Sequence, residues 1–501
     1  MTIPAPPEIP APTTTLRPEA HSWAALAAAF HRAPQSTIAG ANSFSSELGL
    51  PSGSLVYSGH QATFWHPGIL AKRFAASAVA AKLGQDAHAV WLVVDQDATD
   101  ATRLDLPCTT PDGVRSSLVH VLTPRDGMSG KMEIAGRTGT ITLLTPALAR
   151  PALTPPNPES LSAISSLAPS TRASLDAFSR AIAAASSATS QAVQVSDAID
   201  ALLESVAAPA HRILASDLSR TTLFRELCRR MLADPAACTR AYNQAVAEHP
   251  DAGLRPLECA AARIELPLWK LGATKRGTPR ERVLASELAP LLEVPASSLI
   301  PVLLPRALLM TAMVRLASAC IFIHGLGGEK YDPATERWLA LWLTDLPKLR
   351  LAPAVIATAS LYLKQEGTPP AATQRARNID IQKLRRVRYD PHMSHDAALE
   401  QAKQAALAEI ESHPRRSPQR RAAYIRLTQI IEQHRTAHAA DVARAEASLI
   451  EIISRAADPH IIDTDPALRR DWPFFLYPDE DLLALRGRVE AAIGSNDPYH
   501  R

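Results

Sequence analysis

Between Ser54 and Asp97 the apolar and polar positions fall into blocks that change period. An apolar run, Leu55 to Tyr57, meets a glycine turn at Gly59; a stretch with helical spacing covers about Ile69 to Leu83; and a second apolar run covers Ala89 to Val94. Strand, turn, helix, strand is a βαβ unit, whose two strands lie parallel because the helical crossover carries the chain back to the same edge. In open sheets of this kind ligands sit at the carboxyl ends of the strands. Gly59-His60-Gln61 and Asp95-Gln96-Asp97 occupy those two ends.

Further along, Ser117 to Leu122 and Gly139 to Leu144 are β-type runs separated by Gly and Pro, and are expected to add strands to the same sheet. A proline-rich boundary at Pro151 to Pro158 precedes a long Ala/Ser/Leu-rich stretch, Leu161 to about Leu292, with helical spacing such as Leu223, Leu227 and Met231. Extended apolar character returns at Leu299 to Leu304 and Ala307 to Ile323, ending in His324-Gly325-Leu326-Gly327-Gly328-Glu329-Lys330-Tyr331-Asp332, where the sheet resumes. Past Gly367 the residues become Arg, Gln, Glu and Ala. Tyr424, Leu427, Ile431, His434, His438, Val442, Ala445, Leu449, Ile452 and Ala456 then step by three or four, the spacing of a coiled-coil seam. Asp396 to Glu411 predicts the first helix of a hairpin, with Ser394 as its N-cap and His413 to Pro418 as the turn. The closing Trp472-Pro473-Phe474-Phe475-Leu476-Tyr477 is too aromatic for a loose end and is expected to dock on the body.

Composition narrows the partners. In 501 residues, 53 Lys+Arg stand against 50 Asp+Glu, a net charge of +3, too small for a general nucleic-acid or membrane-surface field. The basic run Arg375, Arg377, Lys383, Arg385, Arg386 and Arg388 lacks interleaved aromatics, so a solvated helix face is expected rather than a nucleic-acid site. Five scattered cysteines (Cys108, Cys228, Cys238, Cys259, Cys320) form no CxxC pair and are expected as reduced thiols. The N-terminus, Met1 to Pro18, is proline-rich and has no apolar signal core, and Leu299 to Ile323 is broken by Pro301, Pro305, Arg306 and Arg315, so no membrane span is expected. A cytoplasmic protein is the reading.

The densest chemistry is Ser58 to Lys72. His60, Gln61, His66 and Lys72 gather around a helix start at Gly68, where free N–H groups and the helix dipole attract phosphate or carboxylate. The alternative is a glycine turn whose histidines are ordinary caps. His66-Pro67-Gly68-Ile69 also approaches the HxGH pattern of nucleotidylyl transferases, with isoleucine in the last place. Asp95, Asp97 and Asp100 at the end of the second strand suit a general base, an ammonium clamp or an Asx-turn. Gly327 and Gly328, with Glu329, Lys330 and Tyr331, suit a phosphate cradle or a tight turn, at a spacing that is neither GxxxxGK[ST] nor GxGxxG. No GxSxG, HExxH or metal-spaced His/Cys set occurs.

In this order the pieces resemble the bacillithiol-synthesis cysteine-adding enzyme family (BshC). Gly59-His60-Gln61 is similar to that family's Gly-Gln-Gln turn, Asp95-Gln96-Asp97 to its acidic segment, Pro305-Arg306 to an inverted Arg-Pro, and Gly327-Gly328-Glu329-Lys330-Tyr331 to its Gly-Gly-Pro-x-Glu-x-x-Tyr segment. His60 in place of glutamine, the shifted acidic segment and the reversed Arg-Pro are departures. The resemblance implies an α/β fold: a Rossmann-like parallel sheet core with a helical insertion and a C-terminal antiparallel coiled-coil hairpin that makes a homodimer. The expected organisation is a Pro-rich segment (1–45), the core's first part (46–150), a helical connecting insertion (151–294), the core's second part (295–375), the hairpin (376–460) and a docking tail (461–501). It also implies a ligase joining cysteine to the amine of a small molecule such as glucosaminyl-malate, with ATP or ADP as a candidate cofactor and the metal requirement open. His66, Asp95 and Asp97 are the expected catalytic residues. Gly59, His60, Gln61, Gly68, Lys72, Arg306, His324, Gly327, Gly328, Glu329 and Tyr331 are the expected binding residues. The rival readings are a nucleotidylyl transferase-like enzyme and a non-catalytic dimeric scaffold with a degenerate core.

Overall fold

The structure, a computed structural model, describes residues 11–31, 38–97, 101, 103–110, 113–120, 123–124, 131–134, 137–140, 146–150, 152–154, 169–260, 263–271, 280–295, 302–346, 349–363, 386–414, 417–446 and 469–494. The chain divides into two compact units. One holds residues 1–9, 107–118 and 364–468; the other, larger one holds 10–106, 119–363 and 469–501.

The elements that build the larger unit are, in chain order, β1 (Thr13–Arg17), α1 (Trp23–His31), β2 (Ser54–Gln61), α2 (Pro67–Leu83), β3 (Ala87–Val94), α3 (Pro169–Ala184), α4 (Gln191–Leu202), β4 (His211–Leu214), α5 (Thr222–Ala233), α6 (Pro235–Glu248), β5 (Arg263–Lys270), β6 (Glu281–Leu284), β7 (Leu303–Pro305), α7 (Ala307–Ala317), β8 (Ala319–His324), α8 (Leu326–Trp342) and β9 (Ala354–Ser360). The fold is mixed α/β around a central six-stranded sheet in the order β1-β9-β8-β2-β3-β4. Five of these strands run parallel, and β1 closes one edge antiparallel to β9. Covered on both faces, the parallel strands are near-continuous apolar runs, with Leu55 to Tyr57, Val90 to Val93 and Ala319 to Ile323 all buried.

Proline at the first position and a capping histidine start α2, and its Ala-rich body is buried on nearly every side. It packs on β2, β3 and β9, while the last helix, α11 (Asp479–Gly494), packs on its outer side. The aromatic segment near the C-terminus packs within this unit: Phe474 N–H donates to the Trp65 carbonyl at 2.7 Å, Tyr477 Oη donates to the Leu361 carbonyl at 3.0 Å, and Phe475 stacks on Phe178 at 4.8 Å.

Several sequence expectations change here. The proline-rich start contributes β1, so residues within 1–45 belong to the central sheet. Within the helix-rich 151–294 stretch, β4 adds a parallel edge strand, and β5, β6 and Cys259–Ala260 form, with β7 from beyond that stretch, a separate antiparallel sheet. Four-residue strands such as β4 are too short to leave a period in the sequence. The described parts of the runs at 117–122 and 139–144 pair outside the central sheet. Gly113–His120 pairs with Arg103–Thr110, and Arg137–Thr140 with Lys131–Ile134, as two-stranded sheets. Cys228, Cys238, Cys259 and Cys320 are free thiols.

The described part of the smaller unit is built mainly on α9 (Ala397–Ser412) and α10 (Pro418–Ala437), packed together across a short connection. Asp396 rather than Ser394 caps α9, its carboxylate accepting from Leu399 N–H at 3.0 Å; it lies adjacent to the first turn, where a carboxylate also meets the helix dipole. The buried positions of α10 include Ala423 and His434, whereas Tyr424, expected at a seam position, is 63% exposed. Both seam histidines have partners: His434 Nε2 lies 2.7 Å from the Val387 carbonyl and His438 Nε2 lies 2.9 Å from Asp396. Arg386 pairs with Asp390 and Arg388 with Glu446, which makes that part of the basic run an ion-paired surface. Asp100, Arg375, Arg377, Lys383, Arg385, Leu449, Ile452 and Ala456 lie outside the described residues.

Candidate functional site

The chain leaves β2 toward β3 and β4 on one side, then returns to place β8 and β9 on the other. The order therefore reverses between β2 and β8, and such a switch point opens a crevice at the strand carboxyl ends. The residues there are Gly59 to Gln61 from β2 and His324 with Gly325 from the β8–α8 turn.

Lys72, from the second turn of α2, reaches into this point. It is 4% exposed, and its ammonium donates to the Gly59 carbonyl at 2.5 Å and lies 5.6 Å from the Trp91 ring centre. Burial lowers its pKa from 10.5 to about 7. Gly59 is a requirement of packing: a Cβ there would stand 2.3 Å from the Leu92 carbonyl oxygen of β3, its register partner. Gly325 lies in ordinary packing contact with this lysine, Lys72 Cδ being 3.8 Å from where its Cβ would be.

Three imidazoles feel the charge of this lysine. Burial holds His60 well below the ordinary histidine range, and the Lys72 and His66 charges push the same way. His66 caps α2, its Nδ1 accepting from Gly68 N–H at 3.1 Å; burial lowers its pKa, opposed by the Asp471 carboxylate and reinforced by Arg470 and Lys72. Gly68 is needed for that cap, because a Cβ would meet the Ala359 carbonyl oxygen at 2.7 Å and the His66 ring at 2.8 Å. His324 stacks on Phe322 at 4.3 Å, and its Nε2 stands 3.0 Å from Asp332 Oδ2, off the line of an ideal hydrogen bond. Burial lowers its pKa as well, against the pull of Asp332 and with the push of Lys72 and Arg315. Gly328 lies against the His324 side chain so closely that a Cβ would fall 2.3 Å from His324 Cβ.

A second group lies at the end of β3. Gln61 Nε2 donates to Asp97 Oδ2 at 3.1 Å, and Arg280 donates to Asp97 Oδ1 at 2.8 Å and to the Gln96 carbonyl at 2.7 Å. Arg280 and Arg306 both lie over the Trp269 ring, at 4.7 and 4.0 Å, and Arg306 donates to Glu265 at 2.7 Å. Burial lowers the Arg306 pKa against the opposing pull of that carboxylate. Tyr331 has its pKa raised, first by burial and then by Asp332 and Asp97.

Not every expected residue joins these groups. Asp95 is fully buried, and its carboxylate accepts from Ser216 N–H at 3.0 Å and Ser216 Oγ at 2.5 Å, tying β3 to the turn after β4; burial raises its pKa to about 7. Glu329 is exposed and pairs with Arg17 of β1 at 3.2 Å. Gly327 is exposed on the first turn of α8 with open space around it. Sequence reasoning missed Trp91, Trp269, Arg280, Asp332 and Asp471. Asp332 sits eight residues past His324 and was visible as a charged residue in the glycine-rich segment, but Arg280 and Trp269 arrive from a separate sheet and carried no local signal.

At neutral pH the site therefore combines neutral imidazoles, a lysine poised to gain or lose a proton, and the first turn of α8, whose N-cap residue is Gly325 with no side-chain cap. Those groups can hold an anionic oxygen and exchange a proton with a bound amine or acid. Among the described residues no cluster of His, Cys, Asp and Glu is arranged to hold a metal ion, and no helix is long and apolar enough to cross a membrane. No known family model and no curated protein matches the chain.

Proposed function

We propose that the chain is an enzyme that binds a small anionic substrate at the β2–β8 switch point, and that it is a Rossmann-like carbon–nitrogen ligase of the bacillithiol-synthesis type. The observation that carries the reading is Lys72: an enclosed ammonium whose one described hydrogen bond is to the Gly59 carbonyl, set beside His60, His66 and His324 and near the glycine-rich start of α8. A carboxylate or phosphate oxygen satisfies the remaining N–H bonds of that ammonium and the free N–H groups of α8 together. In its neutral form Lys72 accepts the proton an attacking ammonium must lose before it can form an amide. Asp97, already gripped by Gln61 and Arg280, orients the β3 end rather than serving as the sole ammonium clamp. Cysteine as the carboxylate, a sugar amine such as glucosaminyl-malate as acceptor, and ATP or ADP as the nucleotide follow from the resemblance.

The transferase alternative is weaker because His66 spends its Nδ1 capping Gly68. A homodimer through the α9–α10 hairpin belongs to the same proposal, and the exposed Tyr424 and Ile425 on α10 support it. The test is to incubate the protein with ATP, Mg²⁺, cysteine and glucosaminyl-malate and follow products by mass spectrometry. A cysteine adduct formed by wild type and lost in Lys72→Met supports the ligase reading. Protection of the melting temperature by ATP without product keeps the site and changes the substrate; neither result leaves the scaffold reading.

A further inference from the structure

A cavity of about 670 Å³ opens away from the strand carboxyl ends. Leu351 and Pro353 line it just before β9 begins, so it lies at the entry end of the sheet, between α1 and the last turns of α8. Its volume is within the range that encloses a small organic ligand. One wall is apolar, with Phe30, Leu339 and Leu343. The polar side carries two guanidiniums, Arg315 and Arg350, against one carboxylate, Glu336. Arg350 lies 5.3 Å from the Phe30 ring centre, and no described carboxylate pairs with it. Arg315 is 1% exposed and is held by the Ala352 carbonyl at 2.8 Å and by Glu336.

A chain of charged groups runs from this cavity to the strand-end site. Arg315 Nη1 stands 3.5 Å from Asp332 Oδ1, Asp332 Oδ2 stands 3.0 Å from His324 Nε2, and His324 is followed by Gly325, against which Lys72 packs. The members sit on α7, β8 and α8, three elements packed on one another, so the path is short and largely dry.

We propose that this cavity takes a small carboxylate with an apolar body and serves as an effector site, acting on Lys72 through Arg315, Asp332 and His324. The ligand's carboxylate pairs with Arg350 and competes with Glu336 for Arg315. Glu336 is half exposed and free to turn to solvent, whereas Arg315 is enclosed and can only redistribute its bonds between Ala352, Asp332 and the ligand. A changed hold of Arg315 on Asp332 changes what Asp332 offers His324, and so the field at Lys72. Coupling of this kind is reciprocal: an anion at the strand ends alters affinity at the cavity by the same factor. The inference extends the reading of the strand-end site, but occupancy of the cavity does not depend on which reaction occurs there.

The experiment uses the full chain and decanoate, with decanol as the uncharged control, by titration calorimetry and by NMR of ring-labelled histidine. Expected are saturable binding of one decanoate, roughly tenfold or greater weakening in Arg350→Ala, loss of binding in Leu343→Trp, and movement of the His324 resonances at saturation in wild type but not in Asp332→Asn. Glu336→Gln keeps the fold testable should Asp332→Asn unfold, and is expected to bind decanoate more tightly because the competing charge is gone. No binding to wild type, or equal binding of decanol, overturns the site. Binding that leaves His324 unmoved overturns the coupling. Failure of the cysteine-adduct assay with decanoate binding intact counts against the ligase reading alone.

Discussion

Replacing Lys72 by methionine keeps an unbranched side chain one atom shorter and removes the charge, which isolates what enclosing that ammonium does to stability. Burial lowers the Lys72 pKa from 10.5 to about 7, and at about 1.4 kcal/mol for each tenfold change in proton affinity this is a cost on the order of 5 kcal/mol. The sign follows from proton counting. Between about pH 7 and 10.5 the unfolded chain holds a proton on Lys72 that the folded chain has released, so stability rises with pH across that window and the full cost is present below it. Against this, the variant loses the bond to the Gly59 carbonyl, worth about 1.5–3 kcal/mol when charged and about 1 kcal/mol when neutral. Lys72→Met is therefore expected to be more stable than wild type at pH 6 by about 2–3 kcal/mol, about equal to it at pH 10, and less stable by up to about 1 kcal/mol above pH 11. Urea unfolding followed by tryptophan fluorescence, which Trp65 and Trp91 beside the site report, resolves this as a midpoint shift of about 1 M at pH 6. A variant less stable than wild type at pH 6, or a difference that does not change with pH, refutes the reasoning. Ligand binding and turnover are expected to be lost at every pH.

Asp95→Asn is expected to fold and to retain activity, because an amide can accept from Ser216 N–H and donate to Ser216 Oγ. With the Asp95 pKa raised from 3.8 to about 7, wild-type stability falls as pH rises through that window, so the variant's advantage grows from pH 4 to pH 8 in the same urea assay; loss of turnover with an intact fold would return Asp95 to the chemistry. Gly59→Ala drives a Cβ into the Leu92 carbonyl oxygen and is expected to cost about 3 kcal/mol or more. Gly327→Ala, with open space on an exposed helix, is expected to gain up to about 1 kcal/mol while weakening anion binding at the α8 start; equal melting shifts for the two would contradict the packing account. His66→Ala removes the α2 cap and is expected to lower stability by about 1 kcal/mol, with a larger fall in turnover measured on the folded protein.

The first βαβ unit was legible from the chain alone because its signals are local. Leu55 to Tyr57 and Val90 to Val93 are continuous apolar runs, and Pro67 after His66 marks a helix start within a residue or two of where it begins. The closeness of Gly59, His60, Gln61 and Lys72 was legible for the same reason, since one turn and one helical step bring them together. The aromatic tail declared that it must be buried, but not where.

Everything that depends on segments distant in sequence was decided by the tertiary structure. Asp95 and Asp97 look alike in the chain, two residues apart at one strand end, yet Ser216 encloses the first and Gln61 with Arg280 grips the second. Nothing within the span from Val94 to Asp97 encodes that difference, because both residues lie in the turn past β3, where strand alternation no longer sets which neighbour each side chain meets. Likewise β1 and β4 are short strands whose place in the sheet follows from the edges left open by β9 and β3, not from any period of their own. The order reversal between β2 and β8 depends on more than 200 intervening residues folding back on one side. Local composition determined which residues carry chemistry; the crossing of the chain at that point determined which of them meet, and made of a surface-loving lysine an enclosed one with its proton poised near neutrality.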